Sequence, residues 1–236
     1  MSEKVIGTFR GTVMAQTKGK LGGARPVFAK FKGITNELVY PYNGGQIKNP
    51  FLGKAKMFAG DLMEFRTDAK YENPEVYLLK TYEVVSVSGA VVNIKKDGYK
   101  HIPFVGDKLG VAPEELGGAM TAQTVTAVAT AKVGAQDVWA VTFASAIGAE
   151  AGDILTEADA EGKMVVKNIN AFADCDMDMV FDPTEGDDEF EKAKYFYTPA
   201  VGGAYIEKKY MSPIPACVEA VNKSQFNGLF KLPTVG

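Results

Sequence analysis

One short phrase occurs three times in this chain, as "FAGDLMEF", "FVGDKLGV" and "EAGDILTE". Its glycines are Gly60, Gly106 and Gly152, so 46 residues separate each from the next. A phrase kept at a fixed period constrains the fold, because the same local device must be used at each site. Glycine accepts a positive φ at a turn, aspartate can bond its own backbone two residues on, and the next apolar residue enters a strand. Gly60-Asp61, Gly106-Asp107 and Gly152-Asp153 therefore read as strand-entry turns. A loop that cradles phosphate would need more glycines and a following helix, and neither is present.

The segments between the phrases share an order. "VYLLKTYEVVSVSGAVVNIKKDGYKHIPF" holds strand-like runs Val76–Val87 and Ala90–Ile94 across Ser88-Gly89. "TVTAVATAKVGAQDVWAVTFASAI" holds Thr124–Val133 and Val138–Ile147 around Gly134 to Asp137. Ahead of it, "GVAPEELGGAMTAQ" predicts a single helical turn opened at Pro113 and stopped at Gly117-Gly118. After Gly152 the pattern begins again but does not return to a fourth Gly-Asp. Two full units and a divergent third are fewer than a solenoid needs. The expectation is a mainly β chain: a small β-sandwich or barrel-like body with a duplicated strand-turn-strand unit, preceded by an extended Gly-rich arm. The divisions read from the sequence are 1–58 for the arm, 59–150 for the two-unit body, and 151–236 for the third unit and C-terminal segment.

Charge separates the first division from the rest. Residues 1–58 carry ten Lys/Arg against Glu3 and Glu37, a balance of +8, whereas 59–236 balance to −11. A basic arm on an acidic body reads as an interaction segment. Its partner-binding candidates are Arg10, Lys18, Lys20, Arg25, Lys30, Lys32 and Lys48. Aromatics interleave with these cations, as in binders of single-stranded nucleic acid. They are spread over fifty residues and broken by glycine, so docking onto an acidic protein surface is the better use of the charge. No apolar run approaches the roughly 18 residues of a membrane span. The opening "MSEKVIGTFRGTV" has no hydrophobic signal region, so Cys175 and Cys217 are expected to stay reduced.

Motifs for chemistry are sparse. In "FADCDMDMVFDPTEG", Asp174, Asp176, Asp178, Asp182 and Glu185 match places 1, 3, 5, 9 and 12 of a calcium loop. Met179 stands where that loop needs glycine, and Pro183 interrupts it. The competing reading is a half-buried strand with Ala173, Cys175, Met177, Met179 and Phe181 inward and the aspartates outward. His101 is the only histidine, so a Ser-His-Asp site or a His-ligated metal would have to use it. It has no acid or nucleophile pattern beside it and reads as a satisfied or exposed side chain. No nucleophile elbow, Walker loop, dinucleotide fingerprint or CxxC is present, and no cofactor is expected. A carbohydrate-binding or carbohydrate-cleaving β module, such as a fibre or adhesin domain, is the alternative from another class. It would use Trp139 and the Tyr195–Tyr197 pair, although Trp139 alternates with Val138 and Ala140 as a core residue would.

The blocks "VVSVSGAVVNIKKDGYKHIPFVGDKL" and "TVTAVATAKVGAQDVWAVTFASAIGAEAGDILTEADAEGKMVV" resemble tailed-bacteriophage head-fibre and capsid decoration (auxiliary capsid) proteins, of crAss-like or other Bacteroidota phages. The resemblance covers about residues 59–170 and lies in pattern: strand, turn, strand, then Gly-Asp-x-Leu. It implies a non-enzymatic virion protein on the outside of a capsid, bound to the major capsid protein and other virion proteins. It also implies a homo-oligomer, often a trimer. The absence of an export signal fits assembly in a host cytoplasm, and neither a membrane nor nucleic acid is an expected partner. Such families have no catalytic residues to carry over.

Overall fold

The structure, a computed structural model, describes residues 40–41, 44–67, 74–98, 100–181, 196–201, 204–205, 211–218 and 230–231. It is mainly β. The strands are β1 (Gly45–Ile47), β2 (Gly53–Met57), β3 (Leu62–Arg66), β4 (Glu75–Leu78), β5 (Thr81–Ser88), β6 (Val91–Lys95), β7 (Lys108–Val111) and β8 (Ala122–Val133). They continue with β9 (Gln136–Phe143), β10 (Ile154–Glu157), β11 (Ala171–Phe172), β12 (Met177–Phe181), β13 (Phe196–Tyr197), β14 (Ala204–Tyr205) and β15 (Phe230–Lys231).

Six strands close a barrel in the order β10-β5-β6-β9-β8-β7. Alternate residues point inward, as strand pleating requires: Tyr82 and Val84, Val92 and Ile94, Val141 and Phe143, with Leu109, Val125 and Leu155. A second sheet runs β11-β3-β4-β1-β13, with β1 and β4 parallel. Beside it β12 pairs antiparallel with β2. Ile47, Phe51, Met57, Met63, Val76, Leu78 and Met179 form the core of this second layer.

The repeated phrase performs one operation three times. Gly60, Gly106 and Gly152 all have positive φ, at 84°, 96° and 95°. In each turn the aspartate carboxylate accepts from the backbone N–H three residues back: Phe58 at 2.7 Å, Phe104 at 2.8 Å and Glu150 at 2.8 Å. The bond therefore runs backward across the turn, not two residues forward as the sequence reading had it. The glycine N–H and aspartate C=O then clasp a single residue of a neighbouring segment. These residues are Ala173 for the first phrase, Val125 for the second and Val84 for the third.

The last two clasps expose the duplication. The triplets β7-β8-β9 and β10-β5-β6 are each a hairpin flanked by a Gly-Asp strand, and they join through β6–β9 and β7–β10. Both hairpins shift register at the clasped residue, between Val84 and Ser86 and between Val125 and Ala127. A bulge there sharpens the coiling that closes a small barrel. The strand after the third phrase completes the hairpin of the first unit, so the barrel crosses the 150/151 division. Gly152→Ala isolates the backbone term, because a Cβ there meets nothing within 4 Å. The expected loss is about 1–3 kcal/mol in denaturant unfolding, from the positive φ alone.

Three sequence expectations change. Residues 44–58 belong to the body rather than to an arm that waits for a partner: Ile47, Phe51 and Met57 have 0% exposure. The run Val76–Val87 divides at Leu79-Lys80, sending β4 to one sheet and β5 to the other. The segment after Pro113 is a set of bends and turns, with Gly118 N–H bonded to Glu115 C=O, and holds no helical turn.

Candidate functional site

Polar side chains gather at several places among the described residues. The first gathers His101, Asp61 of the first clasp and Ser212. His101 Nε2 lies 3.0 Å from Asp61 Oδ2, and Ser212 Oγ lies 3.1 Å from Asp61 Oδ1 and 3.3 Å from His101 Nε2. These are the residue types of a hydrolytic triad, but their wiring differs. A triad uses one imidazole nitrogen toward the acid and the other toward the serine. Here Nδ1 accepts the Thr81 backbone N–H at 3.0 Å, so Nε2 carries the proton and donates it to Asp61. Serine and aspartate meet the same donor nitrogen, and the serine proton goes to the carboxylate. Adjacent space amounts to about 10 Å³, the lower limit for one water. This is a satisfied buried histidine, and its acid and hydroxyl come from 40 and 111 residues away.

The second is a buried charge network between the two layers. Lys80 Nζ, with a fully buried side chain, donates to Pro50 C=O at 3.0 Å and pairs with Glu157 at 3.1 Å. Asn49 holds Glu157 from the other side at 2.7 Å and bonds both polar groups of the Leu78 backbone. Asp107, of the second clasp, faces this network with Oδ1 buried and unbonded. Burial pushes its carboxyl up from 3.8 to about 6; Lys80 opposes the rise and Glu157 adds to it. A raised carboxylate favours the protonated fold, so its stabilisation is complete below pH 4 and disappears as the pH rises through about 6. Relative to wild type, Asp107→Asn should therefore gain roughly 3 kcal/mol between pH 4 and pH 7. Parallel denaturation curves check this, and a pH-independent difference would refute the buried charge.

The third is a surface cleft of about 400 Å³ between the β2–β12 ribbon, the β6–β7 connection and β9. Trp139 forms part of its wall, half-buried rather than enclosed in the core. Lys54, Lys56, Lys96 and Lys100 surround it, with Asp97 and Asp178 at the same opening. Lys96 Nζ stands 4.3 Å above the indole ring. Lys56 pairs with Asp178 at 3.6 Å, and Lys100 donates to Met211 C=O at 3.1 Å. Comparison of the chain with protein-family models, curated proteins and solved structures returned no match.

The sequence-derived candidates fall as follows. Asp174, Asp176 and Asp178 do not converge on a metal. Asp174 turns inward and is bonded by the Tyr40 and Tyr197 hydroxyls; Asp176 accepts the Ala59 N–H; Asp178 faces Lys56. Strand β12 begins only at Met177, so Asp174 is not on the acidic outer face expected of it. Asp182 and Glu185 lie outside the described residues. Tyr197 is buried with its hydroxyl bonded to Asp174, and it lies apart from the cleft beside Trp139; Tyr195 is outside the described residues. Cys175 is held protonated, its thiol pushed up to about 12 by burial and by Asp174, which makes it a poor nucleophile. Of the seven partner-binding candidates in the arm only Lys48 is described, and it pairs with Glu75 at 3.6 Å. Arg10, Lys18, Lys20, Arg25, Lys30 and Lys32 lie outside the described residues.

Proposed function

We propose that this protein is a non-enzymatic structural component of a bacteriophage virion, an accessory protein of the decoration or head-fibre kind. Its partner is the major capsid protein, and the basic N-terminal segment makes the attachment. One observation carries the non-enzymatic part: the acid, histidine and serine that meet in the body are bonded in an order that ties loop segments to β5, with both imidazole nitrogens engaged. The charge division along the chain supports the attachment, since a segment rich in lysine and arginine complements an acidic partner surface. The strand-turn-strand resemblance over about residues 59–170 supports the virion context.

Removing residues 1–39 tests the attachment without disturbing β1 or β2. The truncated protein should keep its unfolding transition and lose binding to capsid particles in co-sedimentation. Full decoration by the truncated protein would overturn the role given to the arm. Failure of the full-length protein to co-sediment would overturn the virion reading itself.

A further inference from the structure

The cleft beside Trp139 has the composition of a ligand site rather than of a packing fault. Its volume falls within the range of small-molecule pockets, and its wall combines apolar surface with a few placed charges. Among the described residues the Lys54 ammonium has no ion-pair or hydrogen-bond partner, and the Lys96 ammonium stands over the indole face. Among the described residues, two cations without carboxylate partners therefore converge on one aromatic wall. A packing role would not need them, because both side chains are exposed.

The accompanying aspartates narrow the ligand class. A groove for nucleic-acid backbone presents cations along its length, whereas Asp97 and Asp178 would face phosphates here at the cost of repulsion. A sugar uses both signs: hydroxyls donate to carboxylates, an acidic substituent accepts from ammonium groups, and the ring's C–H face lies on an aromatic wall. We propose that this cleft binds an acidic saccharide, a sugar ring bearing a carboxylate. Lys54 and Lys96 take the ligand carboxylate, and Asp178 accepts from hydroxyls. The Trp139 indole receives the ring face as Lys96 swings from it toward the anion. The flexible lysine stem permits that movement. The site is independent of capsid attachment, which uses other residues.

Trp139 is the only tryptophan in the chain, so its fluorescence reports this cleft alone. Full-length protein titrated with sialyllactose and with trigalacturonic acid should give a saturable emission change for at least one. Lactose and a single-stranded oligodeoxynucleotide should give none. The Lys54→Ala/Lys96→Ala double variant should bind roughly tenfold more weakly or worse, since each lysine supplies a charge-assisted bond. Lys163→Ala, in the connection between β10 and β11, should bind as wild type does. Equal response to lactose would show a sugar site without acid selectivity, and preference for the oligonucleotide would show a phosphate site. Either result, or silence with all four probes, overturns the proposal.

Discussion

Lys80→Met is expected to destabilise the protein by about 3–5 kcal/mol, measured as a fall in the denaturant midpoint at unchanged slope. The side chain has no exposed surface, and its ammonium joins the Pro50 carbonyl to Glu157 of β10. Methionine fills the volume but leaves Glu157 charged, mostly buried and, among the described residues, held by Asn49 alone. It also strips the Pro50 carbonyl of its donor and the Phe51 ring of the cation 5.2 Å above it. The double variant Lys80→Met/Glu157→Leu should recover most of the loss, because a removed pair costs far less than a broken one. If the single and double variants lose equally, the network stabilises through shape rather than charge.

Asp61→Ala should be comparably severe, at about 3–5 kcal/mol. Its carboxylate accepts from the Phe58 N–H, His101 Nε2–H and the Ser212 hydroxyl, and all three donors lose that acceptor. Ser212→Ala removes one donor and should cost only about 1 kcal/mol. That ranking separates a structural acceptor from a catalytic one. Were Ser212 a nucleophile, its loss would leave stability unchanged and abolish a reaction.

The turns were legible because Gly-Asp completes its chemistry within four residues. The closed barrel was legible only in outline, since sequence shows that hairpins recur but not that β10 reaches back to β5. Lys80 carried a usable signal: strand alternation fails at Leu78-Leu79, and a lysine follows inside an apolar run. His101 carried none, because its partners arrive through the fold. Trp139 looked enclosed from its apolar neighbours. What exposes one edge of its ring is the space between β9 and a ribbon formed by β2 and β12, segments about 120 residues apart in the chain.

The exchange of strands between the two barrel halves also sets an order in time. The β5–β6 hairpin can form early in synthesis, but its third strand is β10, some seventy residues later. Until Ile154 to Glu157 have left the ribosome, β5 and β7 each keep an unpaired margin, and such margins recruit other chains. Pairing so distant in sequence is also slow to find. A producing cell therefore holds an open, aggregation-prone sheet until the third Gly-Asp clasp closes on Val84. Interrupting synthesis just before Gly152 should yield insoluble protein, whereas extending it past Glu157 should allow the barrel to shut.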